Sequence, residues 1–166
     1  QKTRGLLVGP DIINNMVSDI ISLTKKLISV PSISEYPEAL EKVLDIALSP
    51  LKGYTIERFT KNGVKSALVY HTKKRPKKFD VIFNAHLDVI PGKRDQYKPR
   101  VKGSRLYGTG SMDMKAGAAC MIAAFKDMVD KVQYPLGLQL TTDEEIGGFD
   151  GTGYQIKKGV RADFVI

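Results

Sequence analysis

The chain has 166 residues, 42% hydrophobic and 27% charged, the mixture of one soluble globular domain with a sizeable core and no internal repeat. Its apolar runs fall far short of the roughly 20 residues a bilayer needs, its amino end lacks a secretory pattern, and its single cysteine excludes an internal disulfide, so a cytoplasmic location is expected. The 26 basic and 18 acidic residues give +8, but much of the excess lies in residues 71–78 (His-Thr-Lys-Lys-Arg-Pro-Lys-Lys) between two strand-like runs. No aromatics interleave there, so a solvated turn is expected rather than specific nucleic-acid contact.

Residues 1–10 show no periodicity and read as a loose lead-in, with a domain expected over 11–166. Asp11 is placed to cap a helix whose apolar residues Ile12, Ile13, Met16, Val17, Ile20, Ile21, Leu23 and Leu27 recur at helical spacing up to Pro31. A second helix carries Leu40, Val43, Leu44, Ala47 and Leu48 on one face and ends before Gly53. Strands at 54–60 and 64–70 flank Asn62-Gly63, a pair that accepts positive φ and favours a hairpin. From Phe79 a short apolar run with little alternation predicts a strand buried on both faces, turning polar at His86.

Residues 93–105 read as surface loop, followed by a glycine-rich turn (106–113) that delivers Asp113 to the start of a helix over 114–132. That helix is apolar nearly all round, so burial against a sheet is expected, Cys120 included. An alternating strand at 136–142, a short helix at 152–158 and a buried strand at 162–166 complete the order. Strand and helix alternating after an opening hairpin predict an α/β fold: a mixed, mostly parallel sheet with helices on both faces.

Three polar groups then stand at the ends of core segments: His86 with Asp88, Asp113, and Glu144 with Glu145. Such strand ends converge on one edge of the sheet, where open α/β folds place their ligands. Imidazole plus carboxylates without thiolates suit Zn, Mn or Co. Taken singly, His86 with Asp88 fits a satisfied buried pair as well as a metal ligand, and Glu144 with Glu145 fits a solvated acidic pair. Gly108, Thr109 and Gly110 before a helix resemble a phosphate loop but lack its lysine followed by Ser or Thr.

The order of the motifs adds more. His-Leu-Asp-Val-Ile-Pro-Gly (86–92), Leu-Tyr-Gly-Thr-Gly-Ser-Met-Asp-Met-Lys-Ala-Gly (106–117) and Thr-Thr-Asp-Glu-Glu-Ile-Gly-Gly (141–148), with Leu-Ile-Ser-Val-Pro-Ser-Ile-Ser (27–34), resemble the dinuclear zinc peptidase and deacylase family. Acetylornithine deacetylase, succinyl-diaminopimelate desuccinylase, glutamate carboxypeptidase and aminoacylase belong to it. Thr109 departs from the arginine that many members carry between the glycines. The resemblance implies that His86 binds one metal, Asp113 bridges two, Glu145 binds the other, Asp88 steers the imidazole and Glu144 is the general base. It implies two divalent ions, zinc first and cobalt or manganese as alternatives, and a cis peptide between Asp113 and Met114. The implied substrate is a small N-acyl amino acid or peptide, with no specific nucleic-acid or membrane partner. It further implies that a lid or dimerisation domain and a returning catalytic segment follow residue 166, in a homodimeric full-length protein. Residues 1–166 would then be the amino-terminal part of a catalytic domain, inactive alone. A non-catalytic fragment or interaction module keeping the fold is the alternative.

Overall fold

A computed structural model of the chain describes residues 10–166, with side chains from residue 13 onward. Helix α1 (Pro10–Ile28) begins on the residue expected to close a loose lead-in; proline is well tolerated there because the first helical N–H groups have no partner in any case. Asp11 therefore lies inside the first turn rather than before it. The rest of the expected lead-in, residues 1–9, falls outside the described residues. The carboxyl end of α1 buries Leu27 and Ile28, whereas Ile13, Val17 and Ile21 remain exposed along its first three turns.

Helix α2 (Pro37–Leu48) buries the five expected residues, Leu40, Val43, Leu44, Ala47 and Leu48. Each of the larger ones contributes roughly 1.5–3 kcal/mol by leaving water. Strands β1 (Thr55–Lys61) and β2 (Val64–Tyr70) form the expected hairpin, and Asn62 and Gly63 both take positive φ, 49° and 84°, the geometry of a two-residue turn that matches strand twist. The basic turn that follows is anchored by Arg75, which pairs with Glu57 at 3.0 Å and donates to the carbonyl of Lys158 at 2.8 Å.

Strand β3 (Phe79–His86) is followed by a small hairpin, β4 (Arg100–Lys102) and β5 (Arg105–Tyr107), where only surface loop was expected. Helix α3 (Ala116–Met128) comes next, then β6 (Leu136–Thr141), α4 (Thr152–Lys157) and β7 (Ala162–Val165). The main sheet has the order β1-β2-β6-β3-β7. β2 runs antiparallel to both neighbours, while β6, β3 and β7 are mutually parallel, so four of the five strands point the same way. This is the mixed sheet expected, with α1, α2 and α3 covering one face and α4 packing on the other.

The burial of two strands follows from their place in the sheet. β6 does not alternate; all six residues are buried, because it lies between β2 and β3 with helices on both faces. β7 is the outermost strand among the described residues, and Phe164, Val165 and Ile166 are each more than half exposed. In α3, Ala118, Ala119, Ile122 and Phe125 face the core, and Cys120 falls on the outer side, exposed. Helical rotation decides this, since a residue two on from Ala118 points away from the face that Ala118 and Ile122 share.

Candidate metal centre

Sheet register brings the motifs together. His86 pairs with Thr141 across the parallel β3–β6 ladder, so both chains leave the sheet side by side, one toward Asp88 and the other toward Glu144 and Glu145. The amide of Leu87 donates to the Thr141 carbonyl at 2.9 Å and extends that alignment one step. Asp88, 2% exposed, then ties the two motifs directly: its Oδ2 accepts the Glu145 amide at 2.9 Å.

Asp113 arrives from the second motif through a wide turn, Ser111–Lys115, in which Asp113 itself is extended (φ −122°, ψ 102°). The Lys115 amide donates to the Gly110 carbonyl at 2.8 Å and closes that turn. Gly110 is required twice over, by its φ of 73° and because a Cβ would sit 2.5 Å from Val89 Cγ1. The Asp113–Met114 peptide is cis, as the resemblance implies.

The result is an imidazole ringed by carboxylates. His86 Nδ1 lies 3.1 Å from the Asp88 carbonyl oxygen and 3.5 Å from Asp88 Oδ1. Donation from Nδ1–H leaves Nε2 aimed outward, 2.9 Å from Asp113 Oδ1 and 3.8 Å from Glu144 Oε2. One donor atom each from His86, Glu144 and Glu145 lie within 4.8 Å of one another. All five expected residues therefore stand at one edge, and Glu144 is close enough to act as a ligand as well as a base. The set fits a divalent cation: a buried imidazole nitrogen and carboxylate oxygens converge, and Asp88 Oδ1 is buried without a hydrogen-bond partner beside the ring.

Electrostatics agree. Burial alone lowers the His86 pKa, but hydrogen bonds to Asp88 and Asp113 overcome it and push the group up to about 9. Burial raises the Glu145 carboxyl, His86 pulls it down, and Asp113, Asp88 and Glu144 add to the rise. Four carboxylates around one imidazole thus attract a cation, in a chain that is otherwise basic.

Two site-shaping residues escaped the sequence reading. Asp143 is buried and structural: its carboxylate accepts Thr141 Oγ1 at 2.6 Å and the amides of Asp150 and Gly151 at 3.0 and 2.9 Å. Lys115 is wholly buried, and burial brings its ammonium down to about 7 while Asp88 pulls it upward. The signal available for it was a lone lysine at the start of an apolar helix.

These two shifts have opposite consequences for stability. His86 has a folded pKa above its ordinary 6.5, so its contribution is full below pH 6.5 and is lost as pH rises through about 9. Lys115 has a folded pKa below its ordinary 10.5, so its cost is full below about pH 7 and lifts as pH climbs toward 10.5. Between pH 7 and 9 the slopes oppose each other. With chelator present, the thermal midpoint of the chain should be nearly flat across that window, whereas His86→Gln should grow more stable with rising pH, by up to about 1.4 kcal/mol per pH unit. A His86→Gln profile as flat as the parent's would contradict this account.

Comparison with known proteins agrees with the geometry. Residues 82–166 match the model of peptidase family M20/M25/M40. Succinyl-diaminopimelate desuccinylase of Sphingopyxis alaskensis is 39% identical over 115 residues, covering 64% of this chain and 30% of that protein. The Helicobacter pylori enzyme of the same name is 31% identical over 154 residues, covering 84% of this chain and 40% of its own length. Human carnosine dipeptidase 1 superposes with a TM-score of 0.69 at 20% identity, over 89% of this chain and 36% of that one. A family M20 metallo-carboxypeptidase from Sulfolobus solfataricus gives 0.65 at 19% identity, over 87% and 37%. The chain thus spans well under half the length of these curated relatives. A family model covering half of the chain, including all five of the clustered site residues, shows that it belongs to peptidase family M20/M25/M40.

Proposed function

We propose that this chain supplies one side of a dinuclear, metal-dependent amidohydrolase that cleaves an N-acyl amino acid or small peptide. The observation that carries the reading is the convergence of His86 Nε2 with Asp113, Glu144 and Glu145 at the carboxyl edge of β3 and β6. Family membership and the names of the desuccinylase relatives support the substrate class. Two bound cations, zinc first with cobalt or manganese as alternatives, would lower the pKa of a water and polarise the scissile carbonyl.

The residues divide the remaining work. By the resemblance, His86 and Glu145 would each hold one cation and Asp113 would be shared between them; Asp113 Oδ1 lies 2.9 Å from Nε2. Asp88 grips the ring from behind and the Glu145 amide at once, so it fixes the orientation of both. Glu144 is more exposed than His86 or Asp88, and its Oε2 stands 3.8 Å from Nε2, near the reacting position without a direct bond to the ring. It would take the proton of the attacking water and return it to the leaving amine.

Each cation finds only two protein ligands in this assignment, whereas catalytic zinc usually takes three plus water. Residues 1–166 alone should therefore bind zinc or cobalt weakly and hydrolyse no N-acyl amino acid, while a full-length protein containing them should bind metal tightly and hydrolyse such substrates. Calorimetry with either metal, run beside hydrolysis of several N-acyl amino acids and dipeptides, tests this. In the full-length protein His86→Ala should lose metal and activity together. A full-length protein without metal-dependent amidase activity would overturn the function, and tight binding of two metals with turnover by residues 1–166 would overturn the ligand assignment.

A further inference from the structure

Both sides of the candidate centre lead back to one corner, residues 27–32, where α1 ends. From the second motif, the Lys115 ammonium donates to the carbonyls of Leu27 and Val30, both at 2.9 Å. From the first, Ser32 Oγ donates to the Leu87 carbonyl at 2.7 Å, and the Val89 amide donates to the Ser32 carbonyl at 2.9 Å, bracketing Asp88. Ile28 closes the gap between them, so near the glycine loop that a Cβ on Gly108 would lie 2.4 Å from Ile28 Cγ2.

Asp113 depends on this arrangement more than its neighbours do. Its side chain is 80% exposed, and His86 is its one hydrogen-bond partner among the described residues. The aim of its carboxylate is therefore set by backbone, by the turn that runs from Gly110 to Lys115. Lys115 closes that turn with its amide and pins it to α1 with its side chain. The chemistry suits a lysine, because the Leu27 carbonyl lies at the negative end of the α1 dipole, and the Leu27 and Val30 carbonyls each have a second lone pair beside the backbone amide they accept, from Val30 at 3.2 Å and from Ser32 at 2.9 Å. A buried ammonium in turn needs such acceptors.

We propose that the corner at residues 27–32 is a positioning element that sets the separation between His86 and Asp113, acting through Lys115 on one side and Ser32 on the other. The inference rests on the reading of these residues as a cation site. Neither Lys115 nor Ser32 is a ligand in this assignment: Lys115 acts on the turn that carries Asp113, and Ser32 on the backbone either side of Asp88, which orients His86.

The test uses cobalt(II) absorption, which reports coordination geometry without any turnover. The chain, Lys115→Met, Ser32→Ala and a control, Leu68→Ala, are titrated with cobalt into the millimolar range at a temperature where circular dichroism shows them folded. Leu68 is fully buried, but in the core on the opposite face of the sheet. Lys115→Met and Ser32→Ala should each weaken cobalt binding about 10-fold or more and shift the visible band, with Leu68→Ala unchanged in both. If Lys115→Met does not fold, Ser32→Ala, which loses a single hydrogen bond, decides. Binding and spectra indistinguishable from the parent would overturn the positioning role, as would an equal loss in Leu68→Ala. A parent chain that takes up no cobalt would instead overturn the metal reading, and this inference with it.

Discussion

Glu144→Gln in a full-length protein should leave metal bound while turnover falls at least about 100-fold, the usual loss when a positioned proton acceptor is removed. Glutamine keeps the length and shape of the side chain and can still accept a hydrogen bond, but it cannot take a proton from water. The geometry makes the outcome informative in both directions. Glu144 stands near enough to His86 and Glu145 to ligate, with donor atoms within 4.8 Å. Metal analysis and steady-state kinetics on the same preparation separate the roles: metal lost in step with activity would make Glu144 a ligand. Turnover near the parent's would remove it from the chemistry altogether.

Gly151→Ala should be the most damaging small substitution for stability. A Cβ there would fall 1.9 Å from Thr141 Oγ1 and 2.1 Å from Asp143 Oδ1, inside any permitted contact, so the Asp143 carboxylate or the Gly151 backbone must move. Either shift strips hydrogen bonds from a buried carboxylate that accepts three of them, a loss of about 3–5 kcal/mol when a buried charge is left unpartnered. The Asp143 carbonyl also accepts the Gly148 amide at 2.8 Å, so the same node shapes the turn that presents Glu144 and Glu145. Denaturant unfolding should show the loss, with weaker cobalt binding alongside it. A midpoint within experimental error of the parent's would disprove the account of Asp143.

What was legible in the sequence follows from how local each signal is. The five-residue face of α2 and the Asn62-Gly63 hairpin depend on periodicity and on a turn pair, both contained in a few adjacent residues. The convergence of the site also followed from local order, because each motif ends a core segment. The β4–β5 hairpin was missed because its strands are only three residues long and largely exposed, too short for a polar-apolar alternation to stand out from loop. Asp143 was hidden among three consecutive acids that look alike in sequence; only packing against Gly151 separates the buried one from the two that face the cation site. Lys115 was illegible for a different reason, since its acceptors lie 85 and 88 residues away and a carbonyl leaves no mark on the residue type that bears it.

The position of β6 has a consequence for how the chain is made. It is inserted between β2 and β3, strands that precede it by more than 60 and 50 residues respectively, so neither finds its neighbour until residues 136–141 exist. During synthesis the β1–β2 hairpin and β3 therefore wait with unpaired edges, and loop-closure entropy must be met before any pairing beyond that hairpin stabilises the sheet. Strand edges held open in this way invite pairing with other chains. Aggregation of nascent or refolding protein should accordingly depend on how quickly β6 docks, and solvent-facing substitutions that raise its intrinsic extended propensity do not exist, because all six of its positions are buried. The strand that aligns the candidate site is also the one that joins the β1–β2 hairpin to β3 and β7.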